Sequence, residues 1–250
     1  MSANRYVIVN ADDFGQSPGV NRGIIAARER GVVTSTSLMV RWPAAAEAAA
    51  YGRAHPEFSL GLHLDLGEWA CREGTWVPVY EVVSTKDAGA VAAEVQRQLA
   101  AFRRLVGRDP THIDSHQHAH MQEPTKSLTV ELADRLGVPL RGCDPVVRYC
   151  GGFYGQTADG TPLPEILSPE GLIRILEGLP PGVTEMGCHP GEGDDLDTMY
   201  RRERAREVEV LCSARVRAAL GARGIELCSF ADFPRNAPHL PGGGSTFFKA

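Results

Sequence analysis

Histidine and aspartate are the side chains here whose types and spacing could do chemistry. The 250-residue chain holds eight histidines, and four of them (His112, His116, His118 and His120) lie between positions 112 and 120. His63 stands among leucines, Asp12 and Asp13 are adjacent, Asp114 sits inside the histidine cluster, and His189 precedes Pro190-Gly191. Imidazole and carboxylate are donors that divalent cations accept. They are also groups that can move protons near neutral pH. His116, His118 and His120 alternate and would share one face if a strand ran through them. A strand of about five or six residues cannot carry all three. One or two are therefore expected in a site, with the others lining the loop that follows.

These residues stand at or near the ends of strand-like runs. Tyr6–Val9 leads into Asn10-Ala11-Asp12-Asp13-Phe14-Gly15, and Ser59–Leu64 carries His63 just before Asp65. Thr111–His116 leads into the histidine cluster, and Val183–Cys188 leads into His189. Further strands are expected at Thr34–Val40, Val138–Leu140 and Ile225–Phe230. Helical stretches separate the strands. Ser17-Pro18 has the pattern of a cap followed by a first-turn proline, opening a helix to Arg30. Others are predicted at 44–53, 87–106, 123–136, 168–177 and 198–220. The 87–106 segment has apolar residues at 91, 95, 99, 102 and 106, a helical period closed by Gly107. Residues 65–86 and 144–168 read as loops. Seven strand–helix alternations predict an α/β fold with a mainly parallel sheet. In such folds the C-terminal strand ends form one rim, where ligands bind. Segments far apart in sequence then converge on a rim rich in the donors a divalent metal needs. No G-x-G-x-x-G follows the first strand, which argues against a dinucleotide site.

Composition narrows the partners. With 26 Lys and Arg against 31 Asp and Glu, the net charge is −5, and no run of like charges forms a basic face. Only 7% of residues are aromatic. Nucleic acid is not an expected partner. No apolar stretch approaches the roughly 20 residues of a membrane span, and no secretory signal is evident at Met1–Arg5. Six scattered cysteines without C-x-x-C suit a reducing compartment, so a cytoplasmic location is expected.

The blocks Asn10–Gly15, Thr34-Ser35-Thr36, Gly61-Leu62-His63, Thr111–Met121 and Glu185–Gly191 resemble the YdjC-like carbohydrate deacetylases. That family includes the chitooligosaccharide deacetylases and hopanoid-biosynthesis deacetylase relatives. The resemblance runs in order from residue 5 to about 232, and the first and fourth blocks are the specific ones. It implies a distorted (β/α) TIM-like barrel; the alternation of elements gives it about seven strands in a single domain over 1–235, and composition marks 236–250 as a Pro/Gly-rich tail. It implies one divalent metal held by Asp13, His63 and His116, with Asp12 as the base. The substrate implied is an N-acetylated amino sugar that loses acetate. Two histidines and one aspartate favour zinc and leave magnesium, nickel, cobalt and manganese open. His189 is the first candidate for the acid, with His118 its rival. Asp114 is expected to orient a ligand histidine. Phe14, Met121, Tyr154 and His118 are expected against the sugar. The chain departs from some members at Gln117, where a further histidine can occur, and 65–86 and 144–168 are individual. Another metal-dependent barrel hydrolase (a phosphoesterase or an amidohydrolase) and a non-catalytic sugar-binding relative are the competing readings. Many barrel hydrolases open with His-x-His where this chain has Asp12-Asp13. A homodimer remains open, with the tail able to cover a neighbouring subunit.

Overall fold

A computed structural model of the chain describes residues 4–193 and 195–232. The 236–250 tail lies outside them. The elements, in chain order, are β1 (Arg5–Phe14), α1 (Pro18–Arg30), β2 (Ser35–Leu38), α2 (Ala45–Ala54), β3 (Ser59–Leu64), β4 (Gly67–Arg72), β5 (Thr75–Glu81), α3 (Ala88–Val106) and β6 (Ile113–Ser115). A 3-10 turn over His116–Met121 follows. Then come α4 (Thr125–Leu136), β7 (Val147–Cys150), α5 (Pro169–Glu177), β8 (Gly182–Cys188), α6 (Arg201–Leu211), α7 (Ala214–Ala222) and β9 (Ile225–Leu227).

Seven strands form one parallel sheet in the order β6-β3-β2-β1-β8-β7, with β9 also on β1. β8 pairs with Arg5–Ala11 along one edge of β1. The other edge is shared, β9 meeting Arg5–Val7 and β2 meeting Asn10–Phe14. The sheet curls into a half-barrel and, among the described residues, β6 and β7 are not joined. The expected single-domain distorted barrel is therefore present in an open form. Helices cover the outside. The face of α3 that meets the core is Val91, Val95, Leu99, Phe102 and Val106, the five positions of the apolar period. Asp87 caps α3 by accepting from the N–H groups of Gly89 and Ala90 at 2.9 and 3.0 Å. Gly107 closes it at φ 81°, a left-handed value that suits glycine. No described helix is long and apolar enough to cross a membrane.

Three expectations need correction. Residues 65–86 are not simply a loop, because β4 and β5 pair antiparallel as a hairpin turned at Glu73-Gly74. Both turn residues have positive φ, the conformation that a tight two-residue hairpin requires. The fifth strand is not Val138–Leu140, which makes only a single bridge from Leu140 to Ile113. Pro139 has no N–H to donate to a ladder. The strand beside β8 is Val147–Cys150, inside the stretch read as an excursion. The charged helix over 198–220 is two helices, broken where the Ser213 hydroxyl accepts from Arg215 N–H and caps α7.

Candidate functional site

The site begins with an irregularity in β1. Between the pairs Ala11–Thr36 and Phe14–Leu38, β1 advances three residues while β2 advances two. This is a β-bulge, and Asp13 within it adopts φ 68°. Aspartate tolerates that region better than most residues, and strain of this kind concentrates at functional sites. In a regular strand, adjacent side chains point to opposite faces. Here the bulge brings both carboxylates to the same group of histidines. A second irregularity ends β6. The chain leaves Ser115 and winds through Gln117 and His118 at φ 49° and 55°. That turn separates the clustered histidines, so only His116 joins His63 and Asp13.

Asp13 Oδ1 lies 3.1 Å from His63 Nε2 and 3.0 Å from His116 Nδ1. These three side chains form a group able to hold a metal ion. Donor atoms about 3.3 Å apart are what a tetrahedral zinc with bonds of about 2.0 Å requires. The chemistry of the group fits a cation. His63 Nε2 and His116 Nε2 are buried without a hydrogen-bond partner. His63 Nε2 therefore approaches Asp13 without the alignment of a hydrogen bond. Asp114 accepts from His63 Nδ1 at 2.8 Å, which turns Nε2 toward Asp13, and Ser37 Oγ lies 3.2 Å from the same Nδ1. Glu68, on the hairpin, stands 3.7 Å from His116 Nε2. Burial lowers the pKa of both imidazoles, but the carboxylates outweigh it. Asp114 leads in carrying His63 up to about 10, and Asp13 leads in carrying His116 up to about 9. Burial raises Asp13, yet Arg204 and then His116 pull it well below the usual carboxylate range.

Asp12, His63 and Asp114 form a second group of possible ligands. A cation of the protein already stands there. Arg141, whose side chain is fully buried, bonds Asp12 at 2.5 and 2.7 Å, Asp114 at 2.9 Å and Glu185 at 2.8 and 2.6 Å. Its guanidinium lies 4.8 Å from the centre of the Tyr149 ring. Asn10 Nδ2 donates to Asp12 and Asp114 at 2.9 and 3.2 Å. Burial alone would raise Asp12, but Arg141 holds it below its ordinary value and so ionised at neutral pH. Burial lifts Glu185 to about 7 against the pull of Arg141.

His189 Nε2 lies 3.7 Å from Asp12 Oδ2, and burial lowers the pKa of His189 to about 4. Its backbone N–H donates to Glu207 Oε2 at 2.5 Å, while Tyr200 OH donates to Glu207 Oε1 at 2.6 Å. Tyr154 stacks on Tyr200 with centroids 4.3 Å apart and meets His189 edge-on. Tyr154 therefore borders the site, whereas Phe14 does not. Phe14 is fully buried in the core, edge-on to Tyr51, and is not placed to touch a sugar. His118 bonds Tyr149 OH at 3.4 Å. His120 bonds Ser115 Oγ and the Arg141 carbonyl as part of the scaffold. Met121, the last residue of the turn, is half-buried.

The profile of the family described as "YdjC-like protein" matches residues 6–222. The chain belongs to the YdjC-like family. It is 34% identical over 264 residues to a chitooligosaccharide deacetylase of Serratia marcescens, covering 91% of this chain and 99% of the relative. It is 33% identical over 250 residues to a carbohydrate deacetylase of Geobacillus stearothermophilus, covering 92% and 98%. Among solved structures it resembles a protein of Enterococcus faecalis whose name provisionally assigns it to cellobiose-phosphate cleavage. That match has a TM-score of 0.72 and 27% identity, covering 92% of this chain and 98% of the other.

In this family member, four residues of the site escaped the sequence reading. Arg141 directly follows the expected strand 138–140, so a search of strand ends for cations would have found it. Glu185 is a carboxylate inside an otherwise uncharged strand, a signal in itself. Arg204 lies in the charged run Arg201–Glu209, where nothing marks one arginine as buried. Glu68 lies on the unforeseen hairpin.

Proposed function

We propose that this chain is a metal-dependent hydrolase that removes the N-acetyl group from an N-acetylated amino sugar, releasing acetate and a free amine. The observation that carries this reading is the buried Asp13, His63 and His116 group, with the unpartnered His63 Nε2 3.1 Å from Asp13 Oδ1, beside an arginine-held carboxylate. It occurs in a chain that matches carbohydrate deacetylases across nearly its full length. Asp13, His63 and His116 would hold one divalent cation, with zinc favoured by the donor set. When bound, such a cation supplies Lewis acidity, making an acetamide carbonyl more electrophilic and a water more acidic.

The rest follows from the side chains. Asp12, kept ionised by Arg141, accepts a proton as a water oxygen adds to the carbonyl carbon. The C–N bond then breaks, and the leaving nitrogen needs a proton. A His189 imidazole whose pKa is about 4 starts neutral at neutral pH. The proton taken by Asp12 can reach His189 Nε2, 3.7 Å away, through one bridging water and pass on to the amine. His189 is favoured over His118 as the acid because its Nε2 lies 3.7 Å from Asp12 Oδ2. Asp114 orients His63, and Tyr154 flanks the substrate. Six free cysteines fit a reducing compartment, and we place the protein in the cytoplasm.

The test is a panel of N-acetylated saccharides of different lengths, with cellobiose phosphate included, scored for acetate and free amine with and without chelator. Acetate that disappears with chelator and returns with zinc is expected. No acetate from any acetylated sugar, with metal bound, overturns the reading. Cleavage of cellobiose phosphate in its place would favour the activity in the Enterococcus protein's name.

A further inference from the structure

Asp13 is held from two sides. Its Oδ1 faces His63 and His116, and its Oδ2 accepts a 2.6 Å bond from Arg204 Nη2. Arg204 belongs to the first turns of α6 and is itself buried, at 6% exposure. Its guanidinium also reaches Gln16 Oε1 and the His189 carbonyl, each at 3.4 Å, so its plane is pinned at three points. Two glycines allow this approach. A Cβ at Gly191 would stand 3.2 Å from Arg204 Cδ, and one at Gly23 would stand 2.4 Å from Gly191 Cα.

We propose that Arg204 makes Asp13 a one-oxygen donor, occupying Oδ2 so that Oδ1 alone is offered to a divalent cation. This rests on the metal-centre reading above. A carboxylate with both oxygens free can chelate a cation through both. With Oδ2 taken, one more coordination position stays open for water and substrate. The Arg204 charge also offsets that of Asp13. Two neutral imidazoles and a neutralised carboxylate leave the cation most of its charge, and hence its polarising power. Arg204 touches no reacting atom and is a positioning residue.

Co2+ is the probe, because its visible d–d absorption weakens as coordination number rises. The full-length chain and its R204M and R204K variants are loaded with Co2+, and affinity is read by competition with a chelator. In R204M the absorption should fall, while affinity holds or tightens by up to about tenfold, because a like charge has been removed from beside the ion. R204K keeps the charge but reaches fewer acceptors and should move part-way. An unchanged spectrum in the variants overturns the proposal, as does an affinity that falls 10–100-fold, the loss typical of a group that merely orients a ligand. If R204M does not fold, by circular dichroism, R204K decides alone, and a spectrum and affinity equal to the unaltered chain's overturn the proposal. No Co2+ absorption in the unaltered chain overturns it together with the metal reading. Absence of acetate release by the metal-loaded, unaltered chain, with these spectra as expected, would overturn only the proposed reaction.

Discussion

Replacing Arg141 with methionine should destabilise the fold in a pH-dependent way. The guanidinium is fully buried and is shared by three buried carboxyl groups, Asp12, Asp114 and Glu185, through five contacts between 2.5 and 2.9 Å. Methionine fills much of the same volume, so the loss is chiefly electrostatic. Removing one partner of a buried ion pair costs about 3–5 kcal/mol, because the other charge stays behind without compensation. That is a large share of the roughly 5–15 kcal/mol total of a typical domain. For a chain of this length it corresponds to a fall in melting temperature of roughly 6–20 °C. The sign of the pH dependence follows from Asp12. Its folded pKa lies below the ordinary 3.8, so the stability it gains from Arg141 is present above that value and is lost as pH falls through the folded pKa. Without Arg141 these carboxylates take up protons more readily, so the deficit of the variant should be greatest at pH 8 and should shrink toward pH 5. Guanidinium unfolding of both proteins at pH 8, 6.5 and 5 measures this. A deficit under about 1 kcal/mol, or one that does not change with pH, would refute a buried cation shared among three acids.

The other predictions concern chemistry, metal and core. D12N should lower kcat by about 10²–10⁴-fold while leaving bound metal unchanged, and retained activity would remove Asp12 as the base. Metal binding at neutral pH should release about two protons, because His63 and His116, at about 10 and 9, must become neutral to serve as ligands. Apparent affinity should therefore climb from pH 6.5 to 9 and level off above 10, and titration calorimetry in buffers of different ionisation enthalpy counts the protons. A flat profile would contradict those values. By the same linkage, the His63 and His116 pairs stabilise the metal-free chain fully below pH 6.5 and lose that contribution as pH rises through 9 and 10. F14A should cost about 3–5 kcal/mol of stability and leave KM unchanged, since Phe14 is a core residue. A raised KM with normal stability would return it to the sugar pocket.

Much of the framework was legible because local rules govern it. The Ser17 cap, the Gly107 stop and the five-position stripe of α3 all stand where turn chemistry and helical period put them. The donors were legible as types at strand ends, since a parallel sheet brings those ends to one rim wherever they fall in the chain. The hairpin at 67–81 and the strand at 147–150 were not, because pairing between strands depends on neighbours that short-range patterns do not reveal. Phe14 illustrates the same limit. It sits in a specific motif next to Asp13, yet the bulge that turns both aspartates into the site leaves Phe14 in the core.

By itself, the sequence determined the family, the α/β alternation, and the supply of imidazole and carboxylate at four strand ends. Tertiary structure alone decided which of those groups meet. It selected His116 from a row of alternating histidines, because the left-handed turn at Gln117 and His118 sends the others elsewhere. It also chose Arg141 and Arg204 as the counter-charges of Asp12 and Asp13, across 129 and 191 residues. A buried carboxylate must find a cation, and which arginine supplies it depends on packing between distant elements rather than on any local pattern.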